Sequence, residues 1–158
     1  MRLRIVLAAA VLAAFTMLMS VAPAMAGCSG ETIRPDLADR WKDAAGKPRW
    51  PNEDWSGGLN VTILLLPGTV IDRFGCDDGN RFSPQGTPFA ARALPYDCSR
   101  ESYSSYRVLR PFPVKSAEAQ GWFGLRGGAV QYRTTVSARE LLADGTLEPI
   151  ESARPSCA

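Results

Sequence analysis

The side chains best suited to chemistry in this sequence are Arg73, Arg92 and Gln131, joined by Phe74, Phe82, Trp122 and Phe123 as flat surfaces that could stack on a ring. A planar guanidinium grips phosphate oxygens through two parallel N–H bonds, so a pair of arginines suits a phosphate-bearing ligand. Gln131 lies between Val130 and Tyr132, and strand alternation turns it away from both. On a buried face it would be an amide in need of partners; on the other face it would be an ordinary solvated residue. The arginines have an equally simple alternative in ion pairs with acids such as Asp72 or Asp77, and the aromatics in a place in the core. Absence narrows the choice. The chain has no His, which removes Ser-His-Asp, Cys-His and His-metal chemistry and leaves carboxylates, Arg, amides, hydroxyls and aromatic faces. The loop Trp122-Phe123-Gly124-Leu125-Arg126-Gly127-Gly128 lacks both the Lys of a P-loop and the glycine order of a dinucleotide fold. No metal site is expected, because no close Cys pair or dense carboxylate loop is present.

Strands are the elements that would position these groups. Residues 61–66 form a continuous β-branched and Leu run that stops at Pro67-Gly68 and resumes over 69–74, which predicts a buried hairpin ending near Arg73 and Phe74. Residues 76–88, rich in Asp, Gly, Ser and Pro, read as loop. Residues 106–114 read as a strand interrupted by Pro111 and Pro113 at a sheet edge. Further strands are expected at 129–135, carrying Gln131, and at 147–150. One helix is expected over 36–45, where Leu37, Ala38 and Trp41 recur at helical spacing before Gly46. Another starts at Ser137, with Glu140 as its capping-box partner, Leu141 and Leu142 facing inward and Gly145 closing it. Residues 47–58, with Trp50 and Trp55, read as an ordered loop held by aromatic anchors. Together these elements predict an α+β fold: a small compact domain with a twisted, mainly antiparallel β core and a few short helices, stabilised by disulfides.

Residues 1–26 combine Arg2 and Arg4, an apolar run and the small-residue end Ala24-Met25-Ala26, the pattern of a secretory signal peptide. The expected organisation is a leader over 1–26, an extension with a short helix over 27–49, the main domain over 50–151 and a tail over 152–158. Taking Arg2 and Arg4 from the 18 basic residues leaves 16 against 16 acidic ones, a neutral balance that argues against broad nucleic-acid binding. No stable membrane span is expected. Cys28, Cys76, Cys98 and Cys157 all follow the leader, and an even count in an exported domain suggests two disulfides. Three pairings exist; Cys76 with Cys98 and Cys28 with Cys157 would close a short loop and tie the ends together. The alternative is a lipoprotein in which Cys28 carries the anchor.

Several landmarks occur in one order: Asp72-Arg73-Phe74-Gly75, then Arg81-Phe82-Ser83-Pro84-Gln85-Gly86-Thr87-Pro88, Arg92-Ala93-Leu94-Pro95, Pro111-Phe112-Pro113-Val114, Trp122-Phe123-Gly124 and Gln131-Tyr132. Over residues 50–150 this order resembles the tuberculosis-necrotizing-toxin domain. The resemblance implies an NAD glycohydrolase that cleaves the bond between nicotinamide and ribose, with NAD+ or NADP+ as substrate and no cofactor. It implies binding and catalytic roles for Arg73, Arg92 and Gln131 and pocket-lining roles for Phe74 and Phe82; Trp122 and Phe123 are expected beside them as substrate-binding aromatics, with the arginines on the pyrophosphate and aromatics flanking the nicotinamide. An inhibitor or immunity protein is expected as a partner if the chain serves as a toxin. This sequence departs from the family pattern at Leu125-Arg126, at Ala129-Val130, at Tyr96-Asp97-Cys98 and at Ser104, where the toxin member has a His. A catalytically weak surface domain that binds nucleotides or a partner protein is the second reading; cyclase or ADP-ribosyl-transfer chemistry lacks an evident Glu to direct an acceptor.

Overall fold

Short runs of alternating apolar and polar residues assemble into one antiparallel sheet. In the computed structural model, which describes residues 32–51 and 60–157, the strands are β1 (Val61–Leu65), β2 (Val70–Phe74), β3 (Arg81–Pro84), β4 (Tyr103–Val108), β5 (Phe112–Glu118), β6 (Val130–Arg133) and β7 (Leu147–Ile150). Their spatial order is β1-β5-β6-β3-β2-β4-β7. The link from Val108 to Phe112 spans at most about 14 Å, whereas β4 and β5 would stand about 19 Å apart in a flat sheet. The sheet therefore curls on itself and encloses its own core. Leu65, Phe112 and Val114 meet Ile71, Tyr106, Val108 and Leu147 from the other limb, with Phe82 of β3 between them. The helix α1 (Ala138–Ala143) closes the core with Ala138 and Leu141.

Local signals were read correctly where they act locally. Ser137 caps α1 through its side chain, Glu140 returns the bond to the cap backbone, and Gly145 sits at φ +74° past the helix end. The hairpin expectation is corrected. β1 pairs with β5 and not with β2, because the chain leaving the Pro67-Gly68 turn is captured by β4: Gly68 N donates to Val108 O and Val108 N donates to Thr69 O. The loop expected over 76–88 contains β3, which pairs with β2 at only Ile71↔Pro84 and Asp72↔Ser83. The strand expected over 106–114 is two strands. Pro113 sits in β5 opposite Leu64, before β6 begins pairing at Lys115, so its missing N–H faces no second neighbour.

The helix expected over 36–45 shrinks to the single turn Asp39–Trp41. The Asp43 carboxylate accepts from Ala45 N and Lys47 N, turning the chain back so that Lys42 bridges Pro48. With so little helix the domain is dominated by its sheet, more so than an even α+β division implies. The disulfide pairing is also corrected: Cys98 bonds Cys157, and Cys76 is disulfide-bonded elsewhere. The tail beyond β7 carries Cys157 back across the molecule, with Ser156 O accepting from Phe89 N, so sequence proximity of Cys76 to Cys98 did not decide the partner. The leader, Cys28 and Trp55 lie outside the described residues.

Candidate active site

The site forms where β2 and β3 part beyond their two paired positions and the chain turns through residues 75–80. A cavity of about 270 Å³ opens there. β2 contributes Arg73 and Phe74 to its wall, β3 contributes Arg81, Phe82 and Ser83, and β6 contributes Gln131. Arg92 and Leu94 enter from the short helical turn Ala90–Arg92, which ends at Ala93 in a left-handed conformation, φ 53°. Trp50 and Tyr96 complete the rim.

Arg73 is 5% exposed. Its guanidinium carbon lies 5.8 Å from the Phe82 ring centre, and its Nη2 lies 2.0 Å from where a Cβ on Gly79 would be. The absence of a side chain at Gly79 thus makes the berth for Arg73. Asn80 follows and is fixed to β6's end, its Nδ2 donating to Thr134 O at 2.9 Å while Thr134 N donates to Asn80 O.

Arg92 is committed to the protein on one edge. Its Nη2 meets Asp72 Oδ1 at 2.6 Å and Thr87 O at 2.7 Å, and its Nε reaches Thr87 O at 3.1 Å. Burial pulls its pKa down while the Asp72 carboxylate pushes it back up. Asp72 is fully buried and also accepts from Gly86 N and the Tyr103 hydroxyl. The ion pair that sequence chemistry offered as the plain alternative for Arg92 is therefore present, in a buried form.

Gln131 is 6% exposed, and its Oε1 accepts no hydrogen bond among the described residues. A buried acceptor without a donor costs on the order of 1–3 kcal/mol, and this one lines the cavity. An O–H or N–H of a ligand or water is what it lacks. Arg81 stands at the rim over Trp50, 5.6 Å from the ring centre, with its pKa lowered by burial first and by Arg133 next.

The structure gathers Arg73, Phe74, Phe82, Arg92 and Gln131 around one cavity. Trp122 and Phe123 line a smaller neighbouring pocket of about 30 Å³, which shares Trp50, Arg81, Arg92, Leu94 and Gln131 with the first. Phe123 is fully buried at φ 54° and packs edge-on against Trp50, so it acts as a wedge behind the rim. Ser104 lies on β4 opposite Arg73, two residues from Tyr106, whose hydroxyl donates to Asp77. Sequence reasoning missed Arg81, Asn80 and Tyr96 as wall residues, and Gly79 as the berth. The alternation within Arg81-Phe82-Ser83 was too short to separate from a loop, and the family landmark that contains Arg81 did not mark it as a wall residue.

Chemically, the site offers guanidinium groups beside aromatic faces, one buried carbonyl acceptor, and no imidazole. Such a set can hold a phosphate-bearing ligand and orient a hydroxyl; among the described residues that line it there is no strong base for removing a proton.

Proteins of known identity are similar to this chain in sequence or in fold. A conidial surface nicotinamide adenine dinucleotide glycohydrolase, nadA, of Aspergillus fumigatus is 29% identical over 99 residues, covering 58% of this chain and 42% of that protein. This chain thus spans less than half the length of that curated relative. The solved structure of tuberculosis necrotizing toxin complexed with its immunity factor matches with a TM-score of 0.54 at 20% identity, over 68% of this chain and 65% of that one, a likeness of fold. The family model described as tuberculosis necrotizing toxin matches residues 64–150. That match begins inside β1 and ends with β7, so it takes in every strand that builds the cavity, and the chain belongs to the tuberculosis necrotizing toxin family.

Proposed function

We propose that the chain is an exported NAD+ glycohydrolase, also accepting NADP+, that cleaves the nicotinamide–ribose bond to give nicotinamide and ADP-ribose. The observation that carries this reading is Gln131: a buried carbonyl acceptor without a donor among the described residues, set in a cavity walled by arginines and aromatic rings. A ribose hydroxyl or an attacking water would supply the missing O–H. Nicotinamide leaves a positively charged pyridinium as a neutral base, so its departure needs no general acid. The enzyme then needs to hold the dinucleotide and stabilise an oxocarbenium-like state. In this reading Arg73 and Arg81 face the diphosphate, Phe74 and Phe82 border the nicotinamide, and Arg92, held by Asp72, keeps the wall in place. Water adds at the anomeric carbon and its proton passes to solvent. The fungal relative is a nicotinamide adenine dinucleotide glycohydrolase, and the Cys98–Cys157 disulfide suits an oxidising compartment. An inhibitor protein in the producing cell belongs to this reading if the chain is deployed as a toxin.

The test is nicotinamide release from NAD+ by the oxidised protein. Arg73→Ala and Gln131→Ala, each still folded, are expected to lose on the order of 100-fold in kcat/KM. No release by the folded wild type would leave a nucleotide- or partner-binding domain on the same scaffold. Gly79→Ala separates positioning from folding. The three atoms nearest its Cβ all belong to the flexible end of Arg73, and Gly79 does not sit at positive φ. Activity should therefore fall by at least about tenfold with less than about 1 kcal/mol lost in urea unfolding. A normal rate in Gly79→Ala would show that the guanidinium need not occupy that berth.

The pH profile offers a further test. Without a His in the chain, and with arginines that stay protonated, kcat/KM is expected to be flat between about pH 6 and 9. A bell-shaped profile in that interval would reveal a proton-transfer group that this mechanism does not contain.

A further inference from the structure

A row of like charges crosses the sheet next to the cavity. Register places Thr62 of β1 beside Lys115 of β5, Lys115 beside Arg133 of β6, and Arg133 beside Arg81 of β3. Directly paired residues point to the same face, so the three cations stand side by side over about 10 Å. This face lies opposite the core, since Val114 and Phe82, the next residues along β5 and β3, point inward. The flanking positions on the same face are Ala117 and Gln131 on one side, Leu64 and Pro113 on the other, and none of them is a carboxylate. Neither Arg133 nor Lys115 makes an ion pair among the described residues. Like charges directly opposite each other on neighbouring strands destabilise a sheet. Two such pairs in succession form a feature that an anion would relieve.

The row is continuous with the cavity. Asn80 and Arg81 line both the cavity and an open groove of about 590 Å³ whose wall includes Thr62, Lys115 and Arg133. Gln131 and Arg133 share a face of β6 two residues apart, roughly 7 Å. A ligand seated against Gln131 can therefore extend past Arg81 into the groove. Arg81 already feels Arg133, which helps lower its pKa.

We propose that Arg133 and Lys115, with Thr62 at the end of the row, form a subsite for a phosphate monoester carried by the substrate beyond its diphosphate, so that a dinucleotide with an added phosphate is preferred over plain NAD+. The guanidinium fork, the ammonium and the hydroxyl supply donors for the three oxygens of a dianionic phosphate. This selectivity rests on the glycohydrolase reading; the binding step does not require catalysis, which makes the two separable.

The experiment therefore has a binding arm and a kinetic arm, on the full oxidised chain. Adenosine 2′,5′-bisphosphate and AMP are titrated by calorimetry into wild type, Arg133→Gln and the Arg133→Gln/Lys115→Gln double variant. Wild type is expected to bind the bisphosphate at least about tenfold more tightly than AMP, and the double variant to lose most of that difference. In the kinetic arm, the kcat/KM loss on substitution should be at least about tenfold larger for NADP+ than for NAD+. The thermal midpoints of the variants should be no lower than wild type, because the changes relieve repulsion. Equal affinity for the two ligands in wild type overturns the proposal. So does an equal loss on both dinucleotides, since the row would then serve a phosphate common to both. A preference for the bisphosphate in a protein that releases no nicotinamide supports the subsite while sinking the hydrolase.

Discussion

Asp72→Asn is expected to destabilise the domain by about 3–5 kcal/mol, the cost of leaving one member of a buried ion pair without its counter-charge. Arg92 and Asp72 have side chains 4% and 0% exposed, so water cannot replace the lost carboxylate. The substitution also overloads the remaining acceptor. The carboxylate accepts from Arg92 Nη2, Gly86 N and the Tyr103 hydroxyl, while an amide has one oxygen for all of them. Tyr103 hydrogen-bonds in turn with Ser105 and Ser152, so the disturbance spreads from β2 into β4 and the tail. Domains of this size have about 5–15 kcal/mol of stability in total, and the loss is a large share of it. Urea unfolding followed by tryptophan fluorescence measures it as a lower midpoint at an unchanged slope. A loss below about 1 kcal/mol would mean that the pair is hydrated and that Arg92 is held mainly by Thr87 O.

The same residues show what a sequence makes legible. The capping box of Ser137 and Glu140, the following Gly145 and the strand Leu147–Ile150 depend on neighbours within a few positions, and each was read where it occurs. The Pro67-Gly68 turn was read correctly as a turn, yet the strands on either side choose other partners. Partner choice is settled by a core that closes between distant segments, and a local signal carries no information about it. β3 was missed because its four residues lie in a stretch whose composition is that of a loop. For the site, residue type was informative and position only partly so. Gln131 turned out buried, as one of its two readings required, and Arg73 borders the same cavity. Arg92 borders it too, with one edge of its guanidinium bound to Asp72. That pairing was among the alternatives, but nothing in the spacing of Asp72 and Arg92 announced that it would be buried. The berth at Gly79 and the cation row depend on register, which no run of residues displays.

Removing the Cys98–Cys157 disulfide by the double substitution Cys98→Ser/Cys157→Ser is expected to cost about 4 kcal/mol. The two cysteines are 59 residues apart, and a closed loop of that length restricts the unfolded chain by an amount of this order. Two substitutions are preferable to a reductant, which would also open the bond at Cys76. The thermal midpoint should fall by on the order of 10–20 °C. The native state is affected as well, because the bond secures a tail that packs behind the site. Ser156 O accepts from Phe89 N at 3.0 Å, and Arg154 donates to Glu101 O and Cys98 O. The Arg154 guanidinium carbon lies 4.9 Å from the Phe74 ring centre and that of Arg92 lies 5.0 Å from it, so one ring of the cavity wall contacts both cations. Freed of its covalent anchor, the tail should open more readily than the sheet does. Hydrogen exchange at the Phe89 amide is then expected to accelerate in the double variant more than exchange at Ile71 or Tyr106 in the core. Uniform acceleration at all three amides would mean that the bond acts on global stability alone and that the tail is held to the site by its remaining contacts.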